Sequence, residues 1–118
     1  MTEVLQMTVV AGSQAEATRI GKGLVDRRQA ACVQIVGPVH SIYRWEGNVE
    51  QAEEWICVIK TTRDRYAAAE ETIRAIHSYR CPEIVATPIP VGSDEYLAWL
   101  VEQTRESDDG RSDDEVTG

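Results

Sequence analysis

Residues 41–61 read SIYRWEGNVEQAEEWICVIKT and predict one long β-hairpin. In the first strand Tyr43 and Trp45 lie two residues apart, which places both aromatic side chains on one face. A turn is expected within 47–52, and the alternation then resumes. Residues 55–61 are apolar on both faces, so this strand should be buried on both sides. The helices of so short a chain cannot easily cover this much surface, and we expect another copy of the chain to cover it.

The composition indicates one soluble domain with its own core. The chain has 118 residues, 42% of them hydrophobic, and no apolar run long enough to span a membrane. The N-terminus has neither a basic leader nor a cleavage site, so a cytoplasmic location is expected, with no membrane partner. The three cysteines are Cys32, Cys57 and Cys81, an odd number without a CxxC pair, and reduced thiols are predicted.

The negative charge is concentrated at one end of the chain. The net charge is −8, and residues 106–118 hold six acidic residues against one arginine. We predict a single domain over 1–105, followed by a disordered acidic tail over 106–118. The body of the chain is only mildly acidic and has no basic stripe, which argues against nucleic acid as a partner.

The residues before the hairpin favour a strand, a helix and a second strand. A buried strand is predicted over 4–10, and a helix from its cap at Ser13 to about Arg28. Residues 31–36 favour a strand that the Gly-Pro pair at 37–38 bends or bulges before the hairpin begins.

The residues after the hairpin favour a helix, a strand and a last helix. The second helix should have Asp64 or Thr62 as its cap and end near His77 or Ser78. Two prolines within 84–91 predict a strand that lies at a sheet edge or ends early. A third helix begins with a cap at Ser93.

This order of elements predicts an α+β, ferredoxin-like βαββαβ fold with a long β2–β3 hairpin and an additional C-terminal helix. In this arrangement the first two helices, those of the βαββαβ core, pack on one face of the sheet. The opposite face is left without a helical cover, in agreement with the need for a partner copy.

The connection between the second helix and the last strand holds the strongest candidates for chemistry. His77 and Glu83 have the side chains of a base and its orienting carboxylate, or of metal ligands completed by a thiolate from Cys32 or Cys81. Their spacing is no recognised zinc pattern. The structural alternative is that both side chains hold the helix end and the next turn through hydrogen bonds.

Other side chains allow both a structural and a functional interpretation. Cys32 and Cys57 fall in strand interiors and are predicted to pack as small apolar residues. Lys60 has apolar neighbours, so it either reaches the sheet edge, pairs with Glu53 or Glu83, or binds an anion.

The sequence contains no Gly-rich phosphate loop and no HExxH or GxSxG motif, and we predict that the protein is not an enzyme. The hairpin aromatics Tyr43, Trp45 and Trp55 are candidate ligand-stacking surfaces, but packing or an interface is the favoured role.

Several blocks of the chain, in order, resemble the CutA divalent-cation tolerance family. They are Ala31-Cys32-Val33, Ser41-x-Tyr43-x-Trp45-x-Gly47, Glu53, Ile59-Lys60-Thr61, His77-x-Tyr79-x-x-Pro82-Glu83 and Tyr96-Leu97-x-Trp99-Leu100. The resemblance implies a ferredoxin-like fold assembled into a homotrimer through sheets and hairpins. It also implies a cytoplasmic protein that takes part in tolerance to copper and other divalent cations, without a known reaction.

The resemblance also assigns roles to particular residues. Cys32, His77 and Glu83 are the implied metal ligands, for Cu(II) or another divalent ion. Tyr43, Trp45 and Trp55 become interface residues of the trimer. The chain departs from the family at Ser78, where proline usually follows the histidine, so the backbone there is less restricted.

A second hypothesis is a trimeric small-molecule or nucleotide sensor of the nitrogen-regulatory type. Lys60 and Arg44 would then contact an anion, and Tyr79 is a further binding candidate. An enzyme acting at a subunit cleft around His77, Tyr79 and Glu83 has the least support.

Overall fold

The computed structural model describes residues 2–106, so the predicted tail lies outside the described residues except for residue 106. The elements follow in the order β1 (Val4–Ala11), α1 (Gln14–Asp26), β2 (Cys32–Trp45), β3 (Asn48–Thr62), α2 (Arg63–Ile76), β4 (Ile84–Pro88) and α3 (Asp94–Gln103). The predicted α+β order is confirmed, including the additional C-terminal helix.

The strands form one antiparallel sheet in the order β2-β3-β1-β4. β1 pairs with β3 along its whole length, from Val4 opposite Thr62 to Ala11 opposite Trp55. β4 lies at an edge and ends at Pro88, as its prolines predict, because proline cannot donate a ladder hydrogen bond.

The hairpin is longer and its turn tighter than predicted. Pairing continues to Trp45 opposite Asn48, so only Glu46 and Gly47 form the loop. Both adopt positive φ, 49° and 85°, which fits the two-residue turn whose twist matches a β-hairpin. The predicted turn region of 47–52 is therefore too long, since only Gly47 of it lies in the turn. Residues 48–53 form the first part of β3. Their polar composition gives no strand pattern, because this part of the hairpin has few apolar contacts.

The break predicted in the second strand is confirmed as a bulge. The register of β2 against β3 shifts between Val36 and Val39, and the Gly37–Pro38 bond between them is cis. The indole of Trp55 lies so close to Gly37 that a Cβ atom at position 37 would collide with it. Glycine at this position therefore lets the tryptophan side chain pass over the bulged strand.

Side-chain capping fixes the start of two helices. The Ser13 hydroxyl accepts the Glu16 N–H at 3.1 Å, and the Ser93 hydroxyl accepts the Tyr96 N–H at 3.1 Å. Thr62 is the N-cap of α2 but makes no side-chain cap bond. α1 ends at Asp26, two residues before the predicted end.

The main core lies between one face of the sheet and the helices α1 and α2. Fully buried side chains of β1 and β3 form its sheet side, among them Met7, Val9, Cys57 and Ile59. α3 packs elsewhere, where Leu100 forms a second buried cluster with Val4 and Ala31.

The opposite face of the sheet is largely open to solvent in one chain. Its apolar residues include Val36 and Val85, which are 49% and 51% exposed, while Ile56 and Val58 are half-buried. The second hairpin strand is thus most deeply buried on its helix face. On its other face only Glu54 and Thr62 are buried, and the apolar side chains of Ile56 and Val58 stay partly exposed. No helix in residues 2–106 is long and apolar enough to cross a membrane.

Candidate functional site

The connection from α2 to β4 begins at His77, whose side chain is completely buried. His77 Nε2 lies 2.7 Å from the carbonyl oxygen of Val10. Since a carbonyl only accepts, Nε2 carries the hydrogen, and Nδ1 of the neutral ring accepts the Tyr79 N–H at 3.1 Å. Both ring nitrogens are therefore engaged within the chain, as the structural interpretation of His77 expects.

The Glu16 carboxylate of α1 anchors the same connection. It is buried, and it accepts the Ser78 N–H at 2.8 Å and the Ser78 hydroxyl at 2.9 Å, while His77 Nδ1 lies 3.2 Å away. Burial raises the pKa of Glu16, but the two Ser78 hydrogen bonds, with the charge of Arg19, outweigh it and leave the pKa below its usual value. Ser78 thus supplies two donors to Glu16.

Tyr79 extends this network to the sheet. Its hydroxyl donates to Glu54 Oε2 at 2.7 Å, and Glu54, on β3, is only 7% exposed. Burial and this hydrogen bond raise the pKa of Tyr79, so the phenol keeps its proton. A Cβ atom at Gly12 would lie 2.8 Å from the Tyr79 hydroxyl, so glycine there makes room for the ring.

A cavity of about 560 Å³ opens beside this network on the uncovered face of the sheet. The hairpin forms one wall and the α2–β4 connection the other. Its lining includes Tyr43, Trp45, Glu54, Tyr79, Arg80 and Glu83. Arg80 reaches across to Glu46 of the hairpin turn, with 3.7 Å between Nη2 and Oε2.

The three implied metal ligands do not converge within one chain. Cys32 begins β2, and its thiol is 3.5 Å from the Tyr96 hydroxyl. It pairs with Lys60 of β3, and Lys60 pairs with Gln6 of β1. His77 contacts β1 four residues further on, at Val10, about 13 Å along the strand. No group of three or more His, Cys, Asp or Glu side chains within residues 2–106 is placed to hold a metal ion.

The candidate anion contacts are also separated. Lys60 makes no ion pair within the described part of the chain, so the pairing considered with Glu53 or Glu83 is not found. Arg44 of β2 lies opposite Val49 of β3. Val49 precedes Lys60 by eleven residues, so Arg44 and Lys60 lie far apart and on opposite faces of the sheet. One chain therefore does not join Lys60 and Arg44 into a single anion site.

The remaining sequence candidates fall into distinct environments. Cys57 is fully buried, and desolvation followed by the charge of Glu16 raises its pKa to about 11, which confirms it as a core thiol. Tyr43 and Trp45 are 43% and 40% exposed on the open face. Trp55 instead packs against the core on the helix face, opposite Ala11.

Comparison with known proteins agrees with this fold. The family model of the CutA1 divalent ion tolerance protein matches residues 5–103. The chain belongs to the CutA family. The divalent-cation tolerance protein CutA of Thermus thermophilus is 46% identical over 104 residues, which cover 88% of this chain and 99% of that protein. The divalent-cation tolerance protein CutA of Archaeoglobus fulgidus is 40% identical over 94 residues, which cover 80% of this chain and 91% of that protein.

Solved structures give the same assignment. A crystal structure of CutA1 from Oryza sativa matches with a TM-score of 0.86 and 35% identity, covering 89% of this chain and 96% of that chain. The structure of the Thermus thermophilus protein matches with a TM-score of 0.83 and 44% identity, covering 89% of this chain and 100% of that chain. The ferredoxin-like fold implied by the CutA resemblance is confirmed.

Two carboxylates of this CutA-family site escaped the sequence analysis. Glu16 lies three residues after the Ser13 cap, a spacing typical of a capping box, but its carboxylate accepts hydrogen bonds from Ser78. The sequence signal that Glu16 is buried was its position beside Ala17 on the apolar side of α1. Glu54 follows the two-residue period of Ile56 and Val58, which places it on the open face, but nothing in the sequence indicated Tyr79 as its partner.

Proposed function

We propose that the protein is a homotrimer that binds a divalent metal ion, with Cu(II) as the first candidate, and contributes to divalent-cation tolerance. The observation that carries the proposal is the apolar, uncovered sheet face in a chain that belongs to the CutA family. The Thermus and Archaeoglobus relatives bear the name divalent-cation tolerance protein.

Burial of exposed apolar area supports assembly through this face. Val36 and Val85 lie on it. The aromatic residues Tyr43 and Trp45 project from the same side of the hairpin. Each Å² of apolar surface removed from water contributes about 25 cal/mol. A closed symmetric ring of chains covers such a face on every copy, whereas a monomer leaves it exposed.

The metal part of the proposal takes a specific form because the donors do not converge within one chain. Thiolate and imidazole groups are ligands of copper and zinc, and zinc also accepts carboxylate oxygens. Cys32 and His77, however, lie toward opposite ends of the sheet, and both nitrogens of His77 are already engaged. A site that uses both residues would therefore combine different subunits and require the imidazole to give up one hydrogen bond.

An interface variant with a matched control tests the assembly. Val36→Arg places a charge on the open face, and we expect it to dissociate the trimer. Val25→Arg makes the same change at a valine that is 42% exposed on α1, and it should leave the trimer intact. Equal sedimentation of Val36→Arg and the wild type would reject this face as the interface.

A titration with Cu(II) tests the metal site. We expect wild-type affinity to fall at least about tenfold in Cys32→Ala and in His77→Gln. Cys81→Ala, which removes an exposed thiol, is the control. Circular dichroism confirms that each variant is folded. Unchanged affinity in both Cys32→Ala and His77→Gln would remove these residues from the site.

We propose a cytoplasmic location, which is in line with the free state of Cys32, Cys57 and Cys81, since reduced thiols are typical of that compartment. Relatives occupy more than one compartment by name, since the Arabidopsis thaliana protein is called chloroplastic and the Archaeoglobus fulgidus structure periplasmic. Fractionation of the native host with an antibody to the protein tests the placement, and recovery outside the cytoplasm would overturn it.

A further inference from the structure

A second cavity, of about 270 Å³, lies at the end of the sheet where α2 begins and α3 ends. Thr62 and Arg65 line it from the start of α2, and Val101 lines it from α3. None of its described lining residues belongs to β2 or β4, the two edge strands. The walls of this cavity therefore do not come from the strands that carry Val36 and Val85.

α3 covers the sheet beside Thr62. Leu100 of α3 packs against Val4, and Val4 pairs with Thr62 where β1 begins and β3 ends. Val36 of the proposed interface pairs with Ile56, six residues before Thr62 and about 20 Å away along β3. The burial of Thr62 is thus provided by its own chain, at a distance from Val36.

The Thr62 hydroxyl has no partner although the residue is buried. Thr62 is only 2% exposed, and its side chain forms no hydrogen bond with a described residue. It is the N-cap of α2, yet its hydroxyl does not cap the helix. A buried hydroxyl costs free energy when nothing replaces its hydrogen bonds to water. Because Thr62 lines the cavity, a group bound there is placed to accept this hydrogen.

The first turn of α2 adds backbone donors beside Thr62. The first N–H groups of a helix have no acceptor inside the helix. The Arg63 N–H donates to the Glu3 carbonyl at 2.9 Å, but no described side chain accepts the N–H of Asp64 or Arg65. These groups point toward the N-terminal side of the helix, where the helix dipole favours an anion.

Arg65 brings a full positive charge to the same wall. Its guanidinium donates to the carbonyl oxygens of Arg28 at 3.2 Å and Arg27 at 3.3 Å, which hold it against the end of α1. Both acceptors are neutral, and Arg65 has no ion pair with a carboxylate within residues 2–106. Its Nη1 donors have no described acceptor. A guanidinium held in this way is suited to the oxygen atoms of an anion.

The size and charge of the cavity favour a small anion. Asp64 and Glu106 also line it, but both are exposed, so water and salt screen their charges, whereas Arg65 is half-buried. A volume of about 270 Å³ lies just below the range of pockets for drug-sized ligands, which begins at about 300 Å³. A nucleotide is therefore disfavoured by its size, and a cation by the guanidinium and the N–H donors.

The geometry points to a binding site for one small oxyanion of the phosphate type at the start of α2. One oxygen of the anion would accept the Thr62 hydroxyl hydrogen, another the N–H of Asp64 or Arg65, and a third the Arg65 Nη1 donors. This inference is independent of the proposed trimer and of the proposed metal site, since it uses none of their residues.

Calorimetric titration of the full chain with sodium phosphate tests the site. Sodium chloride at equal ionic strength is the control, and a chelator keeps metal ions from contributing. We expect saturable phosphate binding that weakens as sodium chloride is added, because salt screens the charge of the site. The absence of saturable phosphate binding would overturn the proposal.

Thr62→Val assigns the binding to this cavity. It removes the hydroxyl and nearly keeps the size of the side chain. Since the hydroxyl has no partner in the chain, stability without phosphate should stay close to that of the wild type, while phosphate binding should weaken at least about fivefold. Thr72→Val makes the same change later in α2, outside the lining, and should bind as the wild type does. Unchanged phosphate affinity in Thr62→Val would reject the site.

Arg65→Met tests the charge of the site. It should weaken phosphate binding at least about tenfold. Arg74→Met, at an exposed arginine in the last turn of α2, lowers the net charge equally and should bind as the wild type does. Circular dichroism confirms that both variants are folded, and Thr62→Val remains decisive if Arg65→Met does not fold. Equal phosphate affinity in folded Arg65→Met and Arg74→Met would show that the anion binds elsewhere.

Discussion

The Tyr79 hydroxyl donates a hydrogen bond to Glu54 Oε2 at 2.7 Å and so ties the α2–β4 connection to the middle of the hairpin strand β3. His77 and Ser78, directly before Tyr79, bond to Val10 of β1 and Glu16 of α1. Three consecutive residues thus connect three elements. The connection is consequently held in one position beside the cavity.

Removal of the Tyr79 hydroxyl should destabilise the fold. Tyr79→Phe leaves the buried Glu54 carboxylate without its hydrogen bond, and we expect a loss of about 1–3 kcal/mol in the free energy of unfolding. Urea denaturation measures this loss in the free energy of unfolding. Tyr43→Phe, at a 43% exposed ring, is the control and should change stability by less than about 0.5 kcal/mol. Equal effects of the two variants would show that the bond to Glu54 contributes little.

Glu16 should give the fold a defined pH dependence. Its pKa is lowered in the folded protein, so its contribution is present above the unfolded pKa, about 4.3, and is lost as the pH falls through the folded pKa. Glu16→Gln should therefore cost about 1–3 kcal/mol at pH 7 and progressively less below about pH 4.

Unfolding by urea at several pH values checks this dependence. Glu71→Gln, at an exposed position of α2, is the matched control and should differ little from the wild type at any pH. A Glu16→Gln deficit that stays constant down to pH 3 would contradict the role of the ionised carboxylate.

The cysteines should differ in reactivity in the native state. Burial raises the pKa of Cys57 to about 11, and its side chain is inaccessible, whereas Cys81 is exposed. Iodoacetamide at pH 8 should therefore modify Cys81 in the folded protein and Cys57 only after unfolding, because the thiolate is the nucleophile. Peptide mass spectrometry assigns the labelled residue, and rapid native labelling of Cys57 would contradict its place in the core.

Gly37 should resist substitution because of Trp55. A methyl group at position 37 would collide with the indole, so Gly37→Ala should cost about 1–3 kcal/mol in the free energy of unfolding. Thermal denaturation followed by circular dichroism measures the loss. Stability equal to the wild type would mean that the tryptophan side chain has space to move away.

Periodicity predicted the elements that bury a continuous apolar stripe. β1, α1 and the caps at Ser13 and Ser93 were recognisable because their signals are local in sequence. The first half of β3 was missed, since its polar residues lie on a hairpin that extends away from the core. The edge position of β4 followed from its prolines.

The site was less accessible to sequence reasoning because its contacts join distant parts of the chain. Glu16 and Ser78 are 62 residues apart, and Tyr79 and Glu54 are 25 apart. No periodic pattern links such pairs. The polar side chains of the α2–β4 connection, and then the resemblance to CutA, indicated His77 and Glu83. The hydrogen bonds and the cavity were visible only in three dimensions.

Assembly through the open sheet face is the central claim, and the mass of the wild-type protein in solution tests it most directly. Sedimentation velocity at low micromolar concentration should give a single species with three times the mass of the chain, because each copy leaves Val36 and Val85 uncovered. A stable, folded species with the mass of one chain would contradict the account.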